Sequence, residues 1–193
     1  MKKIIILLMC MLFLNSCALT EPYQVKTLND AFDGYTINQM TYNYLVSNSG
    51  IVELNIKRLQ TKDGRISYYL VVEYQNSDWL FIEGGESLIL LVDGERIGFK
   101  GDGSLQSRNV GSSGWIDEKA VYDINPKILN QIANAKEVKV KIIGNQYYIE
   151  CKFTEQSFQN FKKFIAEYIT GTSGGGGNLI VNGQPYYSGD KKK

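Results

Sequence analysis

From Ile51 onward, apolar and polar side chains alternate. Val52, Leu54 and Ile56 take turns with Glu53, Asn55 and Lys57, the period of a strand with one face buried. Thr61-Lys62-Asp63-Gly64 is turn chemistry, and Ile66 to Tyr74, rich in β-branched and aromatic residues, reads as the returning strand. Trp79 to Ile82 is a short apolar piece broken by Glu83-Gly84-Gly85-Glu86. Leu88 to Val92 then faces Glu95 to Phe99 across Asp93-Gly94. A two-residue Asp-Gly loop predicts a hairpin with positive φ at both turn residues. The unbroken apolar run of its first arm predicts a strand covered on both faces. Residues 100–114 are loop by composition, and Trp115 to Tyr122 contains a further strand. Glu137 to Ile143 alternates with Val138, Val140 and Ile142 inward. Gly144-Asn145 turns the chain, and it returns with Tyr147, Ile149, Cys151 and Phe153 on one face.

The period changes to that of a helix twice. Asn125 is a good cap and Pro126 fits the first helical position, so a short helix is expected over 125–135, with Ile128, Leu129, Ile132 and Ala135 as its stripe. A second, over 155–169, starts from Thr154. It carries Phe158, Phe161, Phe164, Ile165, Tyr168 and Ile169, a surface broad enough to demand burial on a sheet. Fold class follows: α+β, an antiparallel sheet or open sandwich with both helices packed on it, in one domain over 49–170. Residues 17–48 read as a tether with at most one irregular strand over Tyr35 to Leu45. Residues 171–193 begin with GTSGGGG and read as a linker and flexible tail; Pro185 spoils the hairpin that Asn182-Gly183 suggests.

The N-terminus has a different pattern. Lys2 and Lys3 precede eleven apolar residues, Ile4 to Leu14. That run is too short to span a bilayer, which takes about 20 residues, but suits a secretory signal. It ends in Leu14-Asn15-Ser16-Cys17. This segment resembles the signal of bacterial lipoproteins. The resemblance implies cleavage between Ser16 and Cys17, a diacylglyceryl group on the Cys17 sulfur and a membrane held through that lipid. Two or three acyl chains hold a protein stably at a bilayer, whereas one does not. Ala18, where retained lipoproteins have Asp, implies the outer membrane if the cell has two, and otherwise the outer face of the cytoplasmic membrane.

Charge and cysteine usage narrow the chemistry. Loss of Lys2 and Lys3 with the signal turns 21 basic residues into 19, against 20 acidic ones. That balance gives no reason to expect nucleic acid as a partner. The chain has no His, and Cys151 is the one cysteine left after Cys10 departs and Cys17 is lipidated. A Zn or haem site is therefore not available, and no cofactor is implied. Cys151 alternates with Ile149 and Phe153 and reads as a buried inert thiol. Glu83 with Glu86, and Asp117 with Glu118, are paired carboxylates of the kind a glycosidase needs, but they fall in breaks between strands and read as solvated. Trp115, beside Gly114, and Tyr122 are the candidate partner contacts, because Trp and Tyr combine area with a polar handle.

Residues Trp79 to Ile169, with "LILLVDGERI", "KILNQIANAKEVKVKIIG" and a final amphipathic helix, also resemble a domain of small exported bacterial proteins of unknown role. That likeness brings no catalytic residues with it. The expected role is a non-enzymatic envelope lipoprotein, a binding or structural module for a protein or glycan partner. The alternatives are a periplasmic hydrolase inhibitor or immunity lipoprotein using the 100–114 loop, and a glycan- or peptide-cleaving enzyme using Glu83 and Glu86.

Overall fold

Period-two alternation becomes strands where it was expected, and further strands form where no alternation is visible. The computed structural model describes residues 23–104, 107–111 and 114–171. The signal, Cys17, Asn182-Gly183 and nearly all of the glycine-rich tail lie outside the described residues. The chain forms β1 (Gln24–Asp30), β2 (Tyr35–Thr41), β3 (Val46–Ser47), β4 (Ile51–Thr61), β5 (Ile66–Asn76), β6 (Gly85–Val92), β7 (Glu95–Gly101), β8 (Arg108–Val110) and β9 (Ile116–Ile124). Helix α1 (Pro126–Asn134), β10 (Val138–Ile143), β11 (Tyr148–Lys152) and α2 (Glu155–Ile165) follow, and α2 runs on into a π-helical turn at Ala166–Thr170.

The fold is α+β: one open antiparallel sheet with two short helices. Its order is β1-β2-β4-β5-β9-β7-β6-β10-β11-β3, with β8 added to β9. The sheet coils. β3 pairs with β11, yet the residues just before it pair with β4, through a Tyr44–Glu53 bridge and a 2.9 Å bond from Leu45 N to Val52 O. The enclosed face holds a continuous core that includes Leu54, Ile56, Leu70, Val72, Leu88, Leu90, Val138, Val140 and Ile142.

Both helices form as their caps dictate. Asn125 accepts from Ile128 N at 2.9 Å, and Pro126 opens α1. Thr154 and Ser157 form a reciprocal capping box for α2. Phe158, Phe161, Phe164 and Ile165 are buried, with Phe161 5.0 Å from Phe153 in an edge-to-face pair. At roughly 1.5–3 kcal/mol for each buried side chain of this size, α2 is a principal source of core stability. The Asp93-Gly94 turn is as expected, with φ of 50° and 88°.

Two expectations are corrected, and the weak pattern between them finds its cause. The tether over 17–48 gives way to sheet from Gln24, since β1 pairs along its length with β2. β1 is polar and mostly exposed at the sheet edge, so it has no apolar pattern to read. Alternation over Tyr35 to Leu45 is weak for a different reason. Asn38 and Met40 are buried, then Thr41, Asn43 and Leu45, because the chain shifts phase at Tyr42, whose φ is +63°. Finally, Leu88 to Val92 is not covered on both faces: Leu91 is 39% exposed.

Candidate functional site

Residues 79–83 form no strand, yet nearly every backbone polar group in them has a partner. Glu118 takes three successive amides. Its Oε1 accepts from Leu80 N at 2.7 Å and Phe81 N at 2.8 Å, and its Oε2 from Ile82 N at 3.0 Å and Ser104 Oγ at 2.5 Å. Glu83 N donates to Ile143 O, and Ser104 N to Ile82 O. On the other side Asn145 N is shared between Leu80 O and Phe81 O, at 3.3 and 3.1 Å, and Tyr147 Oη donates to Trp79 O at 3.0 Å. Gly144 makes this closeness feasible. A Cβ there would sit 2.1 Å from Leu80 O.

The grip holds Phe81 in a conformation that costs free energy. Its φ is +53°, a region non-glycine residues rarely occupy. Such strain persists only where the surroundings over-determine it. The result is a fixed aromatic display. Trp79 stacks on Phe81 with centroids 5.5 Å apart, and the Arg108 guanidinium lies 4.7 Å from the Phe81 centroid. Arg108 also donates to Ser104 Oγ at 3.1 Å and stands 3.8 Å from Glu118. The Phe81 ring remains about a third exposed.

Two open grooves meet at Arg108. One, of about 340 Å³, is lined by Phe81, Ile82, Glu83, Gly84, Asp102 and Asn145. The other, of about 430 Å³, is lined from β5, β8 and β9 by residues that include Glu73, Asn109, Glu118 and Lys119. Along β8, Val110 shares the face of Arg108 and is 57% exposed, and Gly111 N bonds to the carbonyl of Trp115, 46% exposed. Trp115 is thus joined to the end of β8 through its backbone carbonyl. Residues 100–114 are not loop throughout, since β7 reaches Gly101 and β8 occupies Arg108–Val110.

The sequence-derived candidates separate. Trp115 is on the surface, as a contact residue must be. Tyr122 is not: it is wholly buried on β9, and its hydroxyl lies 3.0 Å from Ser87 Oγ. Burial pushes its pKa up to about 12, and it is no partner contact. Glu83 and Glu86 do not face one another across a cleft. Glu83 lines the smaller groove, while Glu86 pairs with Arg96 on β7. Glu118, read as a solvated acid, is buried and is the hub of the site. A signal for it was present. Ile116, Ala120, Tyr122 and Ile124 are apolar at every second position, and Glu118 falls in that register. Cys151 is buried, and burial raises its thiol pKa. Cys17 and Ser16 lie outside the described residues.

No family model, no curated protein and no solved structure matches this chain.

Proposed function

We propose that this is a lipid-anchored envelope protein, non-enzymatic, that binds a protein or glycan partner through the surface around Phe81. The observation that carries the binding role is the Phe81 display. A buried carboxylate is committed to holding one strained, exposed aromatic between a tryptophan and an arginine, next to a groove with Glu83, Asp102 and Asn145. Rigid aromatic anchors with Arg beside them are the usual centres of binding energy, because little side-chain freedom is lost on contact. Support for the anchor is the Leu14-Asn15-Ser16-Cys17 pattern behind a short apolar run.

Two experiments test the two halves. Labelled palmitate should enter the wild type and not Cys17→Ser, and the variant should leave the membrane fraction. Capture from envelope extract with wild-type protein and with Phe81→Ser should differ in at least one partner, a protein by mass spectrometry or a glycan by array. Equal recovery by both would sink the binding surface without touching the anchor.

A further inference from the structure

The start of β1 and the end of the last helix meet at one corner. Tyr23 packs on the core, its hydroxyl donates to Glu167 Oε2 at 3.4 Å, and Lys163 Nζ lies 4.5 Å from its ring centroid. Tyr168 is part of the same corner, 4.9 Å from Phe164. Lys162 and Lys163 are both exposed. Gly171, the last described residue, follows the π-helical turn, so the described chain begins and finishes here. The sequence beyond carries Asp190 against Lys191, Lys192 and Lys193.

Reach decides what this corner faces. Cys17 precedes Tyr23 by six residues, and six peptide steps extend no further than about 22 Å. A body of this size is roughly 38 Å across. A lipid on Cys17 cannot let the domain turn freely, and the Tyr23 corner is the part that must stay beside the bilayer. We propose that Tyr23, Lys162, Lys163 and Tyr168 form a membrane-apposed face that binds anionic phospholipid headgroups. This rests on the lipid anchor at Cys17. The two lysines give the corner positive charge, while its acid, Glu167, is engaged with the Tyr23 hydroxyl. Tyr23 and Tyr168, half-buried against the core, form the floor of the corner and leave the two exposed lysines to meet the headgroups. Each Lys close to an anionic surface attracts it within about a Debye length, so the effect weakens in salt.

The test uses the full lipidated chain in vesicles of phosphatidylcholine, with or without phosphatidylglycerol. Lysine acylation is followed site by site by mass spectrometry, with palmitate labelling of Cys17 in parallel. Lys62 is the internal reference, since it lies beside Gly34, at the other end of β1 from Tyr23. Lys162 and Lys163 should react several-fold more slowly than Lys62 in anionic vesicles and not in neutral ones, and high salt should abolish the difference. In Lys162→Gln, which leaves Lys163 over Tyr23, protection of Lys163 should fall roughly fivefold. If Cys17 carries label and both lysines react like Lys62 in both vesicles, the membrane face is wrong and the anchor stands. If Cys17 carries none, the anchor falls, and with it the face that depends on its reach.

Discussion

Glu118 and Arg58 are two buried charges on one sheet, and they are treated in opposite ways. Glu118, 1% exposed on β9, gathers three backbone N–H groups and a hydroxyl, with Arg108 3.8 Å away. Arg58, 5% exposed on β4, is met by neutral groups. Its guanidinium donates to Asn38 Oδ1 at 3.4 Å and Gln60 Oε1 at 2.8 Å, and its Nε is buried with no partner among the described residues. Among the described residues no carboxylate pairs with it. A cross-strand row of Thr27, Asn38, Arg58 and Tyr68 brings it from the exposed edge strand inward. The carboxylate organises an otherwise irregular segment. The guanidinium organises little beyond its own neighbours. Burial of a charge is therefore not a measure of its importance; the number of groups that would be orphaned without it is a better one.

The comparison can be broken most directly at Glu118. Glu118→Ala strands the amides of Leu80, Phe81 and Ile82 and leaves the nearby Arg108 without its carboxylate. It should cost about 4 kcal/mol in urea unfolding. It should also release Phe81, read as altered Trp fluorescence, since Trp79 stacks on that ring. A loss under about 1 kcal/mol would show that Glu118 is no hub.

Tyr122 is the intermediate case, a buried polar group that stays neutral. Its folded pKa of about 12 lies above its ordinary value of 10. The stability tied to its protonated form is thus complete below pH 10 and is lost as pH rises to 12, about 3 kcal/mol in all. Burial shifts Tyr23 and Tyr147 upward too, so the measurement is the difference between wild type and Tyr122→Phe. The variant should lose less stability over that window, and parallel curves would refute the assignment.

Arg58→Met should have the smallest effect, about 1 kcal/mol or less in either direction. An apolar chain of similar length removes a buried cation that has no counter-charge among the described residues. A loss as large as that at Glu118 would mean that Arg58 has a partner its neutral neighbours do not reveal, and the contrast would fail.

How far these features could be read in advance depended on whether neighbours along the chain were enough. Both helices were legible, because Asn125, Pro126 and Thr154 act on backbone groups within a turn. The Asp93-Gly94 hairpin was legible because its φ requirement is local. β1 was not, since an edge strand takes its conformation from β2 rather than from a buried face. Glu118 was half legible. The alternation from Ile116 to Ile124 pointed it inward, but nothing near it in sequence says what it meets there. Its partners, at Leu80 to Ile82, come from 36 to 38 residues away. The chain by itself determined the caps, the turns and which strand faces turn inward, because these follow from steric limits and from water's exclusion of apolar groups over a few residues. Only the tertiary structure decided that a carboxylate on β9 would fix the backbone of Phe81, and that the Tyr122 hydroxyl would meet Ser87 Oγ on β6. Both outcomes depend on strands brought together across the sheet, where hydrogen bonds and burial are set by neighbours in space.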